Sequence, residues 1–272
     1  MRRITKDDIK TLYIPPPESH KGQNGKLLII GGSHLFHAAS LWALTVASRI
    51  VDLVHYSSVP ENNELITRIK KEFRDGIVIP RSEVESYIEE DDCILIGPGM
   101  TRDEETKTLT DRLLTAHPNK QWVIDAGALQ MMEIAHIPHG AILTPHHKEF
   151  DGLLAKDPAS VGETTEERVS MFAQRHTCTV LVKGHADIAS NGKETVQIAG
   201  GNAGMTKGGT GDVLAGLIAS LACKNDLWLA TLAGSFINKK AGDALYVTVG
   251  PYFNATDLAN QIPKTMKELL TL

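Results

Sequence analysis

Short apolar segments rich in β-branched residues recur along the first two thirds of the chain, separated by stretches with helical spacing. Gly, Pro or Asp bounds most of these segments, which is typical of strands buried on both faces of a sheet. The predicted strands are residues 26–30, 53–59, 93–96, 121–124, 141–143 and 180–182. The predicted helices between them are residues 38–50, 62–73, 103–116 and 163–176. This alternation predicts an α/β fold whose parallel strands are joined by right-handed crossovers.

The pattern changes after Lys183. Residues 187–190 and 195–198 flank an Asn-Gly turn and are predicted to form a β-hairpin. The predicted helices that follow are residues 209–222, 227–245 and 257–269, the last with Asn254 or Thr256 as a candidate N-cap. Because neither an internal repeat nor a Ser/Gly linker interrupts the pattern, we expect one domain over residues 1–272, with residues 1–24 as an N-terminal extension.

Charge and composition exclude several classes of protein. The 28 Lys and Arg residues against 33 Asp and Glu give a net charge of −5, which argues against a nucleic-acid-binding surface. The 42% of hydrophobic residues suffice for a large core rather than a disordered chain. The longest weakly polar stretch, residues 213–223, is shorter than the roughly 20 residues that a membrane span needs. We therefore expect neither a nucleic-acid nor a membrane partner.

The start of the chain and the cysteines bear on location. No apolar run near residue 1 could serve as a signal peptide. Cys93, Cys178 and Cys223 occur singly within apolar runs, which indicates reduced core residues rather than disulfides or a zinc site. A cytoplasmic location is the expectation.

Five of the predicted strands are followed by similar short segments. Ligands of open α/β sheets bind beyond the carboxyl ends of the strands, and glycines there allow close approach to the backbone. One such glycine alone is explained by a tight turn, but five similar segments favour a binding cleft. The segments are Gly31-Gly32-Ser33, Gly97-Pro98-Gly99, Asp125-Ala126-Gly127, Thr144-Pro145-His146 and Lys183-Gly184.

The most specific segment, NAGMTKGGTGD at residues 202–212, leads directly into an apolar helix. Small residues at a helix N-terminus leave N–H groups free, and together with the helix dipole these groups attract an anion such as a phosphoryl group. Asp212 does not suit simple phosphate binding, but it suits a base that removes a proton from an attacking hydroxyl. The alternative is an ordinary first-turn acid that compensates the helix dipole.

Neither a Walker A loop nor a G-x-G-x-x-G dinucleotide motif is present, which disfavours P-loop NTPases and Rossmann dehydrogenases. The GGTGD segment instead resembles the anion hole and catalytic base of ribokinase-like kinases. Within that superfamily the chain resembles the ADP- or ATP-dependent NAD(P)H-hydrate dehydratases. The resemblance rests on seven blocks in order: GKLLIIGGS, IGPGMTRDEET, VIDAGAL, ILTPHHKEF, VLVKGHADI, GNAGMTKGGTGDVLAG and GPYFNATDLANQIP.

This resemblance implies a ribokinase-like three-layer fold, with a mostly parallel central sheet flanked by helices. It implies repair of the (S)-hydrate of NADH or NADPH, in which ADP or ATP transiently phosphorylates the ring hydroxyl in the presence of Mg²⁺. The chain resembles the stand-alone form, so we expect it to act with a separate NAD(P)H-hydrate epimerase. A homo-oligomer is also expected.

The resemblance also implies roles for particular residues. Asp212 matches the base and also contacts the hydrate, and Gly209, Thr210 and Gly211 match the anion hole that binds the nucleotide. The remaining hydrate contacts are Ala39, Gly99 and His146. The matching nucleotide segment is Lys183, Gly184, His185, Ala186 and Asp187. This chain differs from the usual family pattern in having His185 for Ala, Asp187 for Thr, and FHAAS at residues 36–40 where Tyr-x-Gly-Ala-Pro is frequent.

Other polar and aromatic residues have simpler interpretations. Glu149 is a candidate for indirect Mg²⁺ contact, or else a helix N-terminal acid. His146 and His147 are adjacent and therefore point in different directions, which argues against a metal pair. Lys207 either adds charge near the phosphates or is solvated, and Trp42 is predicted to lie in the core.

Two other functions share the same motifs. A kinase for hydroxymethylpyrimidine, hydroxyethylthiazole or a similar alcohol would keep Asp212 but release a phosphorylated product. His146 argues for the dehydratase, because several sugar and vitamin kinases carry Asn-x-x-Glu at this place. A regulatory module that binds nucleotide without turnover is disfavoured, since a pure binder gains nothing from a carboxylate that faces phosphate.

Overall fold

The computed structural model describes residues 1–71, 74–160 and 162–270 of the chain. In this part of the chain one sheet contains ten strands, in the order β1-β10-β9-β8-β7-β6-β5-β2-β3-β4. The strands are β1 (Arg2–Arg3), β2 (Lys26–Ile30), β3 (Leu53–Ser57), β4 (Ile77–Val78), β5 (Cys93–Ile96), β6 (Gln121–Ile124), β7 (Ile142–Leu143), β8 (Thr179–Val182), β9 (Asp187–Ser190) and β10 (Thr195–Ile198). Only the pairs of β9 with β8 and with β10 are antiparallel, which confirms the mostly parallel sheet.

Helices cover both faces of this sheet. They are α1 (Ala38–Ala47), α2 (Pro60–Arg68), α3 (Val84–Glu90), α4 (Glu104–Ala116), α5 (Ala126–Met131), α6 (His147–Lys156), α7 (Thr165–His176), α8 (Thr210–Ala222), α9 (Leu227–Val249) and α10 (Ala255–Leu270). Alternate residues of β2 belong to two separate hydrophobic cores: Leu27 and Ile29 pack with α1, α8, α9 and α10, whereas Leu28 and Ile30 pack with α3 to α7. The predicted three-layer architecture is therefore confirmed.

The predicted strands and the hairpin are present, and most differences concern the ends of elements. β3 ends at Ser57 because Pro60 already begins α2. α2 itself ends at Arg68 and continues as a 3₁₀ turn to Lys71, so the end predicted at residue 73 lies outside the described residues. Sequence patterns did not predict β1, β4, α3, α5 or α6.

Caps explain where two helices begin. Thr164 accepts a hydrogen bond from the Glu167 amide, so α7 starts at Thr165 rather than at residue 163. Asn254 accepts hydrogen bonds from the amides of Thr256 and Asp257, as expected of the candidate N-cap.

The predicted N-terminal extension is part of the sheet rather than an appendage. β1 pairs with β10 in parallel, with Arg2 opposite Val196. Ile9 and Leu12 lie in the same core as α8 and α9. Within the described ranges, no helix combines the length and the apolar character needed to cross a bilayer.

Candidate active site

The glycine-rich segment forms the first turn of α8 and the loop before it. Gly209 is the N-cap and has a φ of +96°, which glycine adopts without strain. A Cβ at Gly209 would lie 2.4 Å from the ring of Trp42. The Thr210 hydroxyl donates to the carbonyls of Met205 and Lys207 at 2.7 and 2.9 Å, which fixes the loop. By contrast, space around Gly208 is open, with no atom within 4 Å of a Cβ built there.

Two cavities lie on either side of this first turn. The Lys183 cavity, of about 610 Å³, includes Thr210 and Gly211 in its lining. The Trp42 cavity, of about 910 Å³, includes Gly209 and Asp212. Since residues 209–212 are divided between the two linings, any group that passes from one cavity to the other crosses the N-terminus of α8. This arrangement suits the transfer of an anionic group between two bound molecules.

Most of the predicted site residues line one of these cavities. Ala39, Gly99 and Glu149 line the Trp42 cavity together with Asp212. The Lys183 cavity is lined by the predicted nucleotide-binding residues Lys183, Gly184, His185 and Asp187, but also by His146, for which the resemblance implies contact with the hydrate. Ala186 is in neither lining.

Asp212 lies among charged groups at the edge of the sheet. Burial raises the pKa of its carboxyl to about 7, and the nearby Asp125 carboxylate acts in the same direction. Lys183 opposes this shift, and Glu149 adds to it. An aspartate with a pKa near neutrality is poised to accept a proton, as the base interpretation requires.

Glu149 and His146 form a capping box at the start of α6. The Glu149 amide donates to His146 Nδ1 at 3.1 Å, and the His146 amide donates to Glu149 Oε2 at 2.8 Å. Glu149 Oε1 also accepts a hydrogen bond from the side-chain amide of Gln130 at 2.7 Å. Glu149 is therefore the helix N-terminal acid that one interpretation predicted.

A Mg²⁺ ion beside Glu149 fits best through water, because both carboxylate oxygens already accept hydrogen bonds from the protein. Among the described residues no group of three or more His, Cys, Asp or Glu could hold a metal ion. Contact through water agrees with the chemistry of Mg²⁺, which keeps several waters and binds phosphate oxygens.

The loop after β8 is fastened to α9 by Asp187. Its Oδ1 accepts from the Gly184 amide at 2.9 Å and lies 3.0 Å from the Lys239 ammonium, while Oδ2 accepts from the Ser235 hydroxyl at 2.7 Å. Lys239 also donates to the carbonyls of Gly184 and His185. The Asp187 side chain thus holds the shape of the loop, whereas His185 is exposed.

Two residues outside the predicted set complete the linings. Asn238 is buried, lines the Lys183 cavity, and has a side-chain oxygen without a hydrogen-bond partner. A ligand with an N–H or O–H group would satisfy that oxygen. Trp42 packs against the core, as predicted, but also lines the second cavity. The signal available for Asn238 was the single side-chain amide of the helix predicted at residues 227–245.

The loop before α1 forms the mouth of the Trp42 cavity. Leu35 is 70% exposed and Phe36 49% exposed, and both line the cavity. Gly99 has a φ of +74°, and a Cβ there would lie 2.9 Å from both Ala39 Cβ and the Phe36 carbonyl oxygen. The first turn of α1 and the loop after β5 are therefore in close contact.

Lys207 is an exposed residue in the loop before α8. Its ammonium donates to the Pro251 carbonyl and lies 5.3 Å from the centre of the Phe253 ring. These contacts tie the glycine-rich loop to the segment before α10, and the exposed position of Lys207 agrees with the interpretation of a solvated loop residue.

Comparison with known proteins identifies the family of this chain. The sequence profile of the NAD(P)H-hydrate dehydratase family matches residues 27–264. The bifunctional NAD(P)H-hydrate repair enzyme Nnr of Methanocaldococcus jannaschii is 35% identical over 96% of this chain and 52% of its own length. The ADP-dependent (S)-NAD(P)H-hydrate dehydratase of Cenarchaeum symbiosum is 32% identical over 98% of this chain and 97% of its own. The chain therefore spans about half the length of the bifunctional relative.

Solved structures share the fold. The ADP/ATP-dependent NAD(P)H-hydrate dehydratase of Bacillus subtilis, co-crystallised with ATP and Mg²⁺, superposes with a TM-score of 0.79 at 24% identity, and 97% of each chain is covered. The predicted ribokinase-like fold is thereby confirmed. With five of the seven blocks contributing to the linings of the two cavities, and with family-level similarity along almost the whole sequence, the chain belongs to the NAD(P)H-hydrate dehydratase family.

Proposed function

We propose that this protein dehydrates the (S)-hydrate of NADH or NADPH, with ADP or ATP as phosphoryl donor. The observation that carries the proposal is the position of Asp212: a half-buried carboxyl with a pKa of about 7, at the helix N-terminus where the two cavities meet. The donor occupies the Lys183 cavity and the hydrate occupies the Trp42 cavity.

The chemistry begins at the ring hydroxyl. Asp212 accepts the hydroxyl proton while the oxygen bonds to the terminal phosphorus of the donor. The bond from that phosphorus to its bridging oxygen breaks, so ADP leaves as AMP and ATP leaves as ADP. The first turn of α8 stabilises the charge on the phosphoryl oxygens during this transfer.

Phosphorylation makes the hydroxyl a good leaving group. The carbon–oxygen bond breaks with assistance from the ring nitrogen, inorganic phosphate departs, and loss of a proton from the neighbouring ring carbon restores the dihydronicotinamide. The sum is hydrate plus ADP giving NAD(P)H, AMP and phosphate, and no group is oxidised or reduced.

The nucleotide is bound on the side of β8 and α9. The amides of the loop after β8, the anion-attracting turn of Thr210 and Gly211, and the unpaired oxygen of Asn238 are available to it. Mg²⁺, when bound, would neutralise phosphate charge, and Glu149 would orient one of its waters.

The hydrate is bound on the side of α1. Flat or apolar surface is offered to the ring by Trp42, Phe36 and Leu35. In the same cavity the side-chain amide of Gln130 donates to Glu149. The protein would work with an NAD(P)H-hydrate epimerase, which converts the opposite hydrate into the substrate form. We retain the homo-oligomer as a proposal, and also the cytoplasmic location, which the free and buried state of all three cysteines supports.

The test is incubation of the purified protein with (S)-hydrated NADH, Mg²⁺, and either ADP or ATP in separate reactions. We expect dihydronicotinamide absorbance to return together with one equivalent of inorganic phosphate, and Asp212→Asn serves as the control. If the protein consumes ATP only with a pyrimidine or thiazole alcohol, and hydrated NADH never regains absorbance, the kinase replaces the dehydratase as the function.

A further inference from the structure

Asp125 and Lys183 form an ion pair directly below the phosphate-binding turn. Asp125 follows β6 and Lys183 follows β8, so the pair spans the end of the intervening strand β7. The Lys183 Nζ lies 2.8 Å from Asp125 Oδ1, and the two side chains are 19% and 2% exposed. A charged pair with this degree of burial requires good geometry to be tolerated.

The ammonium of Lys183 points to the turn that is expected to hold phosphate. A Cβ built on Gly211 would lie 3.5 Å from Lys183 Nζ and close to no other atom. Among the residues that the structure describes, Asp125 is the hydrogen-bond partner of this ammonium. Because an ammonium has three donors, two of them are available to an anion on the Gly211 side.

We propose that Asp125 is a positioning residue, which holds the Lys183 ammonium against the transferring phosphoryl group and balances the charge around Asp212. The inference rests on the proposed function. In it Lys183 contacts the phosphoryl oxygens rather than the rest of the nucleotide, and Asp125 acts through Lys183 without touching the substrate. The reaction is unchanged: the proton goes to Asp212 and the phosphoryl group to the ring hydroxyl.

The charges around Asp212 give the pair a second measurable effect. The groups that act on Asp212 are the carboxylates of Asp125 and Glu149 and the ammonium of Lys183. His37 and Arg102 line the same cavity from the loops before α1 and α4. Loss of the Asp125 charge should lower the pKa of Asp212, whereas loss of the Lys183 charge should raise it.

The experiment compares Asp125→Asn, Lys183→Met and the double variant through the dependence of kcat on pH. Each single change should lower the plateau of kcat by about 10- to 100-fold, the usual effect of losing one hydrogen bond to a charged group. The acid limb should move to lower pH in Asp125→Asn and to higher pH in Lys183→Met. The double variant should be little worse than Lys183→Met alone, because Asp125 acts through Lys183.

Asp111→Asn is the matched control, since it removes a partly buried aspartate of α4 that pairs with Lys107 at 3.0 Å and lines neither cavity. Its profile should coincide with that of the unaltered protein. If Asp125→Asn lowers the melting temperature but leaves both kcat and the acid limb unchanged, the pair is only structural and the inference is overturned. Additive losses in the double variant would likewise refute action of Asp125 through Lys183.

A measurement without turnover separates this inference from the proposed function. Titration of the Asp212 carboxyl by carbon-13 NMR should give a lower pKa in Asp125→Asn than in the unaltered protein. A downward shift supports the charge coupling even if hydrated NADH proves not to be the substrate. An unchanged titration overturns the coupling even if the dehydratase activity is present.

Discussion

The two cavities that meet at α8 are built in opposite ways. The Lys183 cavity is held by buried polar contacts, such as the pair of Asp187 with Lys239, and its loop is anchored at several points. The Trp42 cavity has a mouth of exposed apolar side chains on the loop before α1. Under the proposed function, the Lys183 cavity fixes a phosphate chain in position, whereas the Trp42 cavity recognises a ring by shape. Asp212 joins the two.

The largest effect is expected at the boundary between the cavities. Gly211→Val should abolish turnover, because a branched side chain would occupy the space between the turn and the Lys183 ammonium. The fold should survive, since no other atom lies close to the added Cβ. Assays of turnover and thermal unfolding test this, with Gly152→Val, an open position on α6, as the matched control. A folded and fully active Gly211→Val protein would show that phosphate passes elsewhere.

Asp212→Asn should lower kcat by about 10² to 10⁴, the usual value of general-base catalysis, and leave nucleotide affinity largely intact. In the unaltered protein the carboxyl is protonated below a pH of about 7, so kcat should fall as the pH is lowered through that value. Steady-state kinetics over pH and calorimetric titration with ADP measure the two properties. Near-normal turnover in the variant would remove Asp212 from the mechanism.

An intermediate effect, confined to the Lys183 cavity, is expected from Lys239→Met. Removal of one partner from a buried ion pair typically costs about 3–5 kcal/mol of unfolding free energy, and here it also frees the loop after β8. We expect a lower melting temperature and a raised KM for the nucleotide, with the KM for the hydrate little changed.

Two further variants sharpen this result. Lys240→Met removes a half-buried neighbour whose ammonium lies 3.6 Å from Asp243 and 5.7 Å from the centre of the Phe236 ring, and it should be nearly neutral. Asp187→Thr combined with Lys239→Met removes both charges and should recover part of the lost stability. Equal increases in both KM values would mean that the loop serves both cavities.

The smallest effect concerns His146. The resemblance implies that it contacts the hydrate, but His146 lines the Lys183 cavity. His146→Asn keeps a side chain that can cap α6 but removes the imidazole. Contact with the hydrate predicts a several-fold rise in the KM for the hydrate and a smaller rise for ADP or ATP. Initial rates with each substrate varied in turn decide the matter. The opposite split would assign His146 to the nucleotide, in keeping with the cavity that it lines.

Sequence patterns predicted those parts of the molecule whose causes are local. The continuous apolar run of β2 and the Asn-Gly turn between β9 and β10 each gave the observed boundaries. α5 escaped prediction because it is six residues long and begins at Ala126 with a φ of +48°. The two arginines of β1 carry no strand pattern and are ordered by pairing with a distant strand.

In the site too, sequence patterns reveal groups that are close together in the chain but not pairs that are distant in it. Asp212 was found because its glycine-rich surroundings are contiguous in sequence. The sequence shows Asp125 as a residue directly after a predicted strand. Its partner Lys183 lies 58 positions away, so the pair becomes visible only in three dimensions. Asp187 was noted as a departure from Thr, and the compensating Lys239 comes from a helix that carries no recognisable motif.

The pairing of β1 with β10 has a consequence for biosynthesis. Arg2 is synthesised before the other strands of the sheet, whereas its partner Val196 is made after most of them. The strand must therefore wait until the hairpin is complete, and contacts of such large sequence separation are slow to form. Ile9 and Leu12, which this segment carries into the core, remain exposed during that interval. Capture of nascent chains by chaperones should accordingly last until residues near 200 have emerged.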